Sequence, residues 1–160
     1  MRNLIKLLIK NAKIDTKDLA KRLHLRETEV KAELKKLQKD KVILGFKPVL
    51  DREKVYKDDY VSSAIEVKVT PQRDVGFDAI AQRIAKFSEV RSLYLVSGAY
   101  DLLVIVEGRN LKEVSTFVAT KLATLDEVQS TSTHFMLKTY KEQGVAFESE
   151  IKPQRLKVSL

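Results

Sequence analysis

The sequence predicts an α+β chain: an N-terminal winged helix-turn-helix domain followed by a βαββαβ ferredoxin-like domain. Three observations predict it. Apolar residues recur at helical spacing through the first forty positions and alternate after residue 60. The later part reads strand, helix, strand, strand, helix, strand. Charge is unevenly divided: residues 1–57 carry 17 Lys/Arg against 8 Asp/Glu, a net of +9, whereas residues 58–160 carry 13 against 14. The domains are expected at 1–52 and 60–140, with a linker over 53–59 and a C-terminal extension over 141–160.

The first helix comes from "RNLIKLLIKN", where Leu4, Leu7 and Leu8, with Ile5 and Ile9 beside them, make a wide apolar face. A second starts in "IDTKDLAKRLHL". Asp15 or Thr16 is placed to accept its first backbone N–H groups, and Leu19, Ala20 and Leu23 form its inner face. A third runs from about Arg26 to Lys39, with Val30, Leu34 and Leu37 at i, i+4 and i+7. "KVILGFKPVLD" is β-prone and punctuated by Gly45 and Pro48, so it reads as a short hairpin, the wing. In a helix-turn-helix the second helix of the pair enters the major groove, and its N-terminal part meets base edges. The exposed side of this one is expected to show Arg26, Glu27, Thr28, Lys31, Lys35 and Lys36. The lysines suit phosphate contacts, and Arg26 and Thr28 suit base edges. The competing reading is a three-helix bundle with lysine-rich solvated faces, which Glu27, Glu29 and Glu33 on the same helix favour.

In the second part, Val61, Ser63, Ile65, Val67 and Val69 share one face of a strand that Pro71 ends. Phe77, Ile80, Ala81 and Ile84 have helical spacing, and "EVRSLYLVS" and "DLLVIVEG" are strands joined at Gly98-Ala99. A second helix is capped by Asn110 and is expected to bury Leu111, Val114, Val118 and Leu122. "VQSTSTHFMLKTY" is the last strand. Both helices of such a unit cover one sheet face, so the other face should be polar. Yet "LLVIV", residues 102–106, is apolar on both. A second copy of the same sheet is the simplest cover, which predicts a homodimer. The alternative cover is the tail, with Val145, Phe147, Ile151 and Leu156.

Composition narrows the classes. The absence of cysteine excludes disulfides, thiolate metal sites and cysteine nucleophiles, and fits a cytoplasmic protein. No apolar run of about 18 residues exists to span a membrane, and Lys6, Lys10 and Lys13 break the N-terminal apolar stretch, which argues against a signal peptide. No two glycines are close enough for a phosphate-cradling loop. His24 and His134 are 110 positions apart, so neither a metal site nor a bound cofactor is expected. His24 reads as a helix-end residue, and His134 as structural or interfacial. The +9 segment points to a polyanion, double-stranded DNA.

Four stretches carry a resemblance: "LIKLLIKNAKIDTKDLAKRLHL", "VILGFKPVLDREKV", "VSGAYDLLVIVEG" and "VQSTSTHFMLKTYKEQ". In order and spacing the chain resembles the Lrp/AsnC family of bacterial and archaeal transcription regulators. The resemblance implies a DNA-reading N-terminal domain and a regulatory domain that dimerises, often assembles further, and binds a small effector, typically an amino acid, between subunits. Carried over, the effector residues are Gly98, Ala99, Tyr100 and Asp101 on the hairpin, with Thr131 and Thr133 on the last strand. Backbone N–H groups around Gly98 would hold a carboxylate, and Asp101 would accept from an ammonium group. The residues alone allow a plainer reading, in which Gly98 supplies a positive φ and Asp101 is an ordinary turn residue. The chain departs from the family pattern at Arg26 (usually serine), Glu33 (usually arginine) and Lys41 (usually glycine). Glu33 and Lys41 keep open a sensing module with weak or lost DNA binding. The two-domain architecture also resembles haem-pathway decarboxylases.

Overall fold

The structure, a computed structural model, describes residues 2–71 and 76–147. The tail residues Ile151 and Leu156 lie outside the described residues. The chain divides between Pro48 and Val49 into two units.

The first unit is three helices: α1 (Arg2–Lys10), α2 (Thr16–Leu23) and α3 (Glu27–Lys39). Its core is small. Leu4, Leu19, Ala20, Val30 and Leu37 are buried, with Ile5, Leu7, Leu8, Ile14, Leu23, Leu34 and Ile43 packed around them. Ile9, expected beside this face, is 79% exposed. Asp15 stands at the N-cap of α2, but neither its side chain nor that of Thr16 caps the helix; the Thr16 hydroxyl instead donates to Glu27 at 2.9 Å. The turn between α2 and α3 hinges on His24, the C-cap of α2, in the left-handed conformation (φ 54°, ψ 41°). Leu25 N–H then bonds back to the Ala20 carbonyl at 3.0 Å, which closes the helix end.

The expected wing hairpin does not form. After α3 the N–H groups of Val42 and Ile43 both return to the Leu37 carbonyl (2.9 and 3.1 Å), and residues 43–51 then run without a ladder partner among the described residues. Val42, Leu44 and Phe46 stay more than half exposed. A hairpin needs a return strand, and here the next residue after the apolar run, Asp51, already caps a helix. Lys41, which begins this stretch, holds φ 54°. A Cβ in that region costs about 1–2 kcal/mol, against about 0.5–1 kcal/mol for the extra freedom glycine loses on folding. Lys41→Gly is therefore expected to stabilise the protein by about 0.5–1 kcal/mol, read as a higher denaturation midpoint; a lower midpoint would contradict the strain.

The second unit begins with a short helix, α4 (Arg52–Tyr56), which takes up part of the stretch expected as a linker. Then come β1 (Val61–Val69), α5 (Asp78–Ala85), β2 (Val90–Leu95), β3 (Leu102–Gly108), α6 (Leu111–Phe117) and β4 (Val128–Phe135). The sheet order is β2-β3-β1-β4, every pair antiparallel. A small hairpin follows, β5 (Lys141–Glu142) and β6 (Val145–Ala146). Its two-residue turn, Gln143-Gly144, has φ of 49° and 83°, the double positive φ that a tight hairpin favours.

One face of the sheet carries the core. Ile65, Val67 and Val69 of β1 and Leu102, Val104 and Val106 of β3 meet Ile80 and Ile84 of α5 and Val114 and Phe117 of α6. The expected stripe on α6 is corrected in one respect: Leu111 is 55% exposed, and Phe117 is buried instead. Leu111 is the first residue of α6, whereas Phe117 lies three residues after Val114, about 60° round the same helix. Beyond it comes a π-helical turn over Val118–Leu122, closed by Ala123 N–H to the Val118 carbonyl at 2.8 Å. In an α-helix five residues at about 100° each would leave Phe117 and Leu122 about 140° apart. The wider turn lets both face the core.

The other face lacks such cover among the described residues. Its register lays out rows: Tyr94, Leu103, Glu66, Ser132 in one, and Ser92, Ile105, Ala64, His134 in the next. Leu103, Ile105 and Ala64 are half-buried and Tyr94 is 53% exposed.

Candidate nucleic-acid interface and candidate effector hairpin

All six residues expected to read DNA lie on or at the start of α3. Arg26 is its N-cap; it, Thr28, Lys31, Lys35 and Lys36 are exposed, while Glu27 is half-buried. Two carboxylates change the picture that composition gives. Glu29 accepts the Arg26 backbone N–H at 2.8 Å through Oε2 and the Arg26 guanidinium at 2.8 Å through Oε1. The first bond is the reciprocal half of a capping box, in which the residue three positions in satisfies an orphan donor of the helix start. Glu27 accepts from Lys31 at 2.6 Å and from the Thr16 hydroxyl at 2.9 Å, so it ties the start of α3 to the start of α2. Lys31, then Thr16, hold the Glu27 carboxyl below its usual range, and Arg26 does the same for Glu29. Lys35 and Lys36 make no ion pair among the described residues. The spacings i,i+3 and i,i+4 were legible in the sequence; the anchoring of Glu27 by Thr16 was not.

In the second unit, Gly98 and Ala99 are exposed and Tyr100 and Asp101 half-buried at the β2–β3 connection. Asp101 sutures the sheet there. Its N–H bonds to the Val67 carbonyl (3.1 Å), its carbonyl accepts from Val96 (2.9 Å), and its carboxylate accepts the Val69 N–H (2.9 Å). Gly98 does not take the positive φ expected of it, and a Cβ there would meet nothing within 4 Å. Neither turn geometry nor packing within this chain requires glycine at that position.

Thr131 and Thr133 sit on β4 opposite Val67 and Ile65, half-buried on the helix side of the sheet. The structure therefore brings Asp101 and Thr131 to the same end of the sheet but on opposite sides of β1. With strands about 4.8 Å apart, two gaps leave roughly 10 Å between them. A single chain does not close these residues into one pocket. Two cavities lie elsewhere in the unit: one of about 130 Å³ lined by Arg52, Tyr60, Ser62, Met136 and Phe147, the other of about 320 Å³ over α6, beside Lys112, Thr116 and Lys121.

Sequence reasoning missed Glu107. It lies on the outer face at the end of β3, its side chain 10% exposed, and accepts from Arg52 (3.1 Å), Arg91 (2.8 Å) and the Tyr60 hydroxyl (3.1 Å). Burial, above all, pushes the Tyr60 hydroxyl up to about 12. Arg52 also lies over the Tyr60 ring, 5.5 Å from its centroid, so this cluster holds α4, which buries no residue of its own, against the sheet. Nothing local signals it, since its members come from α4, β2, β3 and the residue before β1.

The model of the Lrp/AsnC ligand binding domain matches residues 62–146. An uncharacterized HTH-type transcriptional regulator, YugG of Bacillus subtilis (strain 168), is 44% identical over 156 residues, which are 98% of this chain and 94% of that one. Among solved structures, MtbAldR aligns over 91% of this chain and 96% of its own at a TM-score of 0.75 and 21% identity. The complex of the transcriptional regulator NMB0573 with L-Met, from Neisseria meningitidis, aligns over 91% and 92% at a TM-score of 0.70 and 22% identity. At those identities the two structures show a shared fold.

Proposed function

The chain belongs to the Lrp/AsnC family of transcription regulators, and from that premise we propose that it reads duplex DNA with α3 and answers to an amino-acid-like effector at the Gly98–Asp101 hairpin. The observation that carries the DNA reading is the exposed face of α3, set up by the left-handed turn at His24 inside a segment of net charge +9. Arg26 and Thr28 lie at the end that meets base edges, and Lys35 and Lys36 are positioned for phosphate.

For the effector, Gly98 is a glycine that nothing inside the chain demands, beside exposed backbone able to meet a carboxylate. The separation of Asp101 from Thr131 and Thr133 favours a site completed by a second subunit. The half-apolar outer face supplies a surface for a second copy, in a homodimer or a larger assembly. NMB0573 is described in complex with L-Met, so methionine is the first effector to try. The internal pairing of Arg26 and Lys31 favours a second reading, a sensor with weak DNA binding.

One titration decides between them. Fluorescence anisotropy with the chain's own upstream duplex, with and without L-amino acids, is expected to give binding whose log K falls linearly with log salt. Affinity equal to that for a scrambled duplex at about 0.15 M salt, the regime where specific and non-specific binding separate, would leave only the sensor.

A further inference from the structure

We propose that Glu29 sharpens sequence discrimination by competing with phosphate for Arg26, an inference that rests on the DNA reading above. Its carboxylate is fixed in place: one oxygen is committed to the Arg26 backbone N–H at 2.8 Å, which leaves the other aimed at the guanidinium, also at 2.8 Å. Arg26 is otherwise open to solvent, its side chain 81% exposed.

A phosphate approaching Arg26 meets a penalty. Even on the guanidinium donors that Glu29 leaves free, it stands beside a carboxylate that its backbone bond keeps from swinging away, and like charges repel. A guanine edge does not. Its O6 and N7 acceptors bring no net charge, and arginine has five donors, so a guanidinium with one terminal nitrogen on Glu29 keeps others for the base. Glu29 thus selects against the contact that carries no sequence information and tolerates the one that does.

The next cation on this face is treated in the same way. Lys31 is held at 2.6 Å by Glu27, itself anchored by Thr16. Lys35 and Lys36, further along α3, make no ion pair among the described residues. The helix sorts its cations: those at the reading end are clamped to carboxylates held by a second bond, and those behind are left for the backbone of the duplex.

Glu29→Gln tests this, because glutamine keeps the capping acceptor and removes the charge. The full-length variant is titrated against its own upstream duplex and a scrambled duplex over a range of salt. For the scrambled duplex, affinity is expected to rise about threefold to fivefold and the log–log salt slope to steepen by about one, the weight of one added phosphate contact. The ratio of specific to scrambled affinity is expected to fall. Asp40→Asn makes the same change of net charge at the far end of the same helix, at an exposed residue with no ion pair among the described residues, and is expected to do much less. Adding Glu29→Gln to Arg26→Gln is expected to gain nothing further. An unchanged ratio in Glu29→Gln, an equal gain from Asp40→Asn, or a gain that persists without Arg26 would overturn the inference. Those outcomes leave the DNA reading intact; a wild-type protein that binds no duplex at low salt overturns both.

Discussion

Leu37→Ala is expected to abolish duplex binding while the second unit stays folded. Leu37 is 2% exposed in a core of only five buried residues. Its carbonyl also receives the N–H groups of Val42 and Ile43, so it anchors both the inside of α3 and the exit from it. A buried Leu→Ala exchange costs about 2–5 kcal/mol, since the lost burial and the cavity left behind add together. A unit of this size holds only a few kcal/mol of net stability. The exchange therefore removes most of what keeps α2 and α3 in register. Hydrogen exchange on the full chain should show the amides of α1–α3 losing protection while those of β1, β3 and β4 keep theirs, and anisotropy should show duplex affinity reduced to the non-specific level or below. Retained protection in α3 together with unchanged affinity would show that the three helices have more support than their own core provides.

The second large effect is expected from Ile105→Asp. Ile105 points away from the helices, in the row that also holds Ser92, Ala64 and His134, so its replacement leaves the packed core untouched. On a face closed by a second copy, the new carboxylate is stripped of water without a partner, at a cost of several kcal/mol per subunit. Sedimentation of the wild type should then give a dimer or larger species, and the variant a monomer with unchanged circular dichroism. Duplex affinity should fall by about 10²-fold or more, because two linked reading heads become one. A wild type that sediments as a monomer would remove the second copy from the account, along with the shared effector site.

Much of this was legible in order of residues alone. The three helices of the first unit follow from leucine spacing, and the alternation in β1 gives its inner face directly: Ile65 and Val67 are fully buried, as the pattern requires. The wing hairpin does not form among the described residues for a physical reason. "VILGF" has the composition of a strand whether or not a partner lies beside it, and pairing is a property of two segments, not one. A period of 3.6 places Phe117 beside Val114 as readily as Leu111, which stays exposed at the first position of α6; only the joint burial of Phe117 and Leu122 needs the wider turn, which no fixed period anticipates. At the candidate sites, Arg26–Glu29 and Glu27–Lys31 follow from spacing. Asp101 looked like a turn residue and is a suture to Val69, 32 positions away, because only the sheet register brings the two together. Glu107 is the extreme case: its partners Arg52, Tyr60 and Arg91 are separate in sequence and converge only when the fold is complete.

The wider turn at Val118–Leu122 also bears on what length this segment tolerates. It holds one residue more than the same stretch of α-helix needs, the surplus taken up as a bulge. Deleting one of Ala119, Thr120 or Lys121 would leave Leu122 four residues after Phe117, about 40° away on an α-helix, so both would keep facing inward.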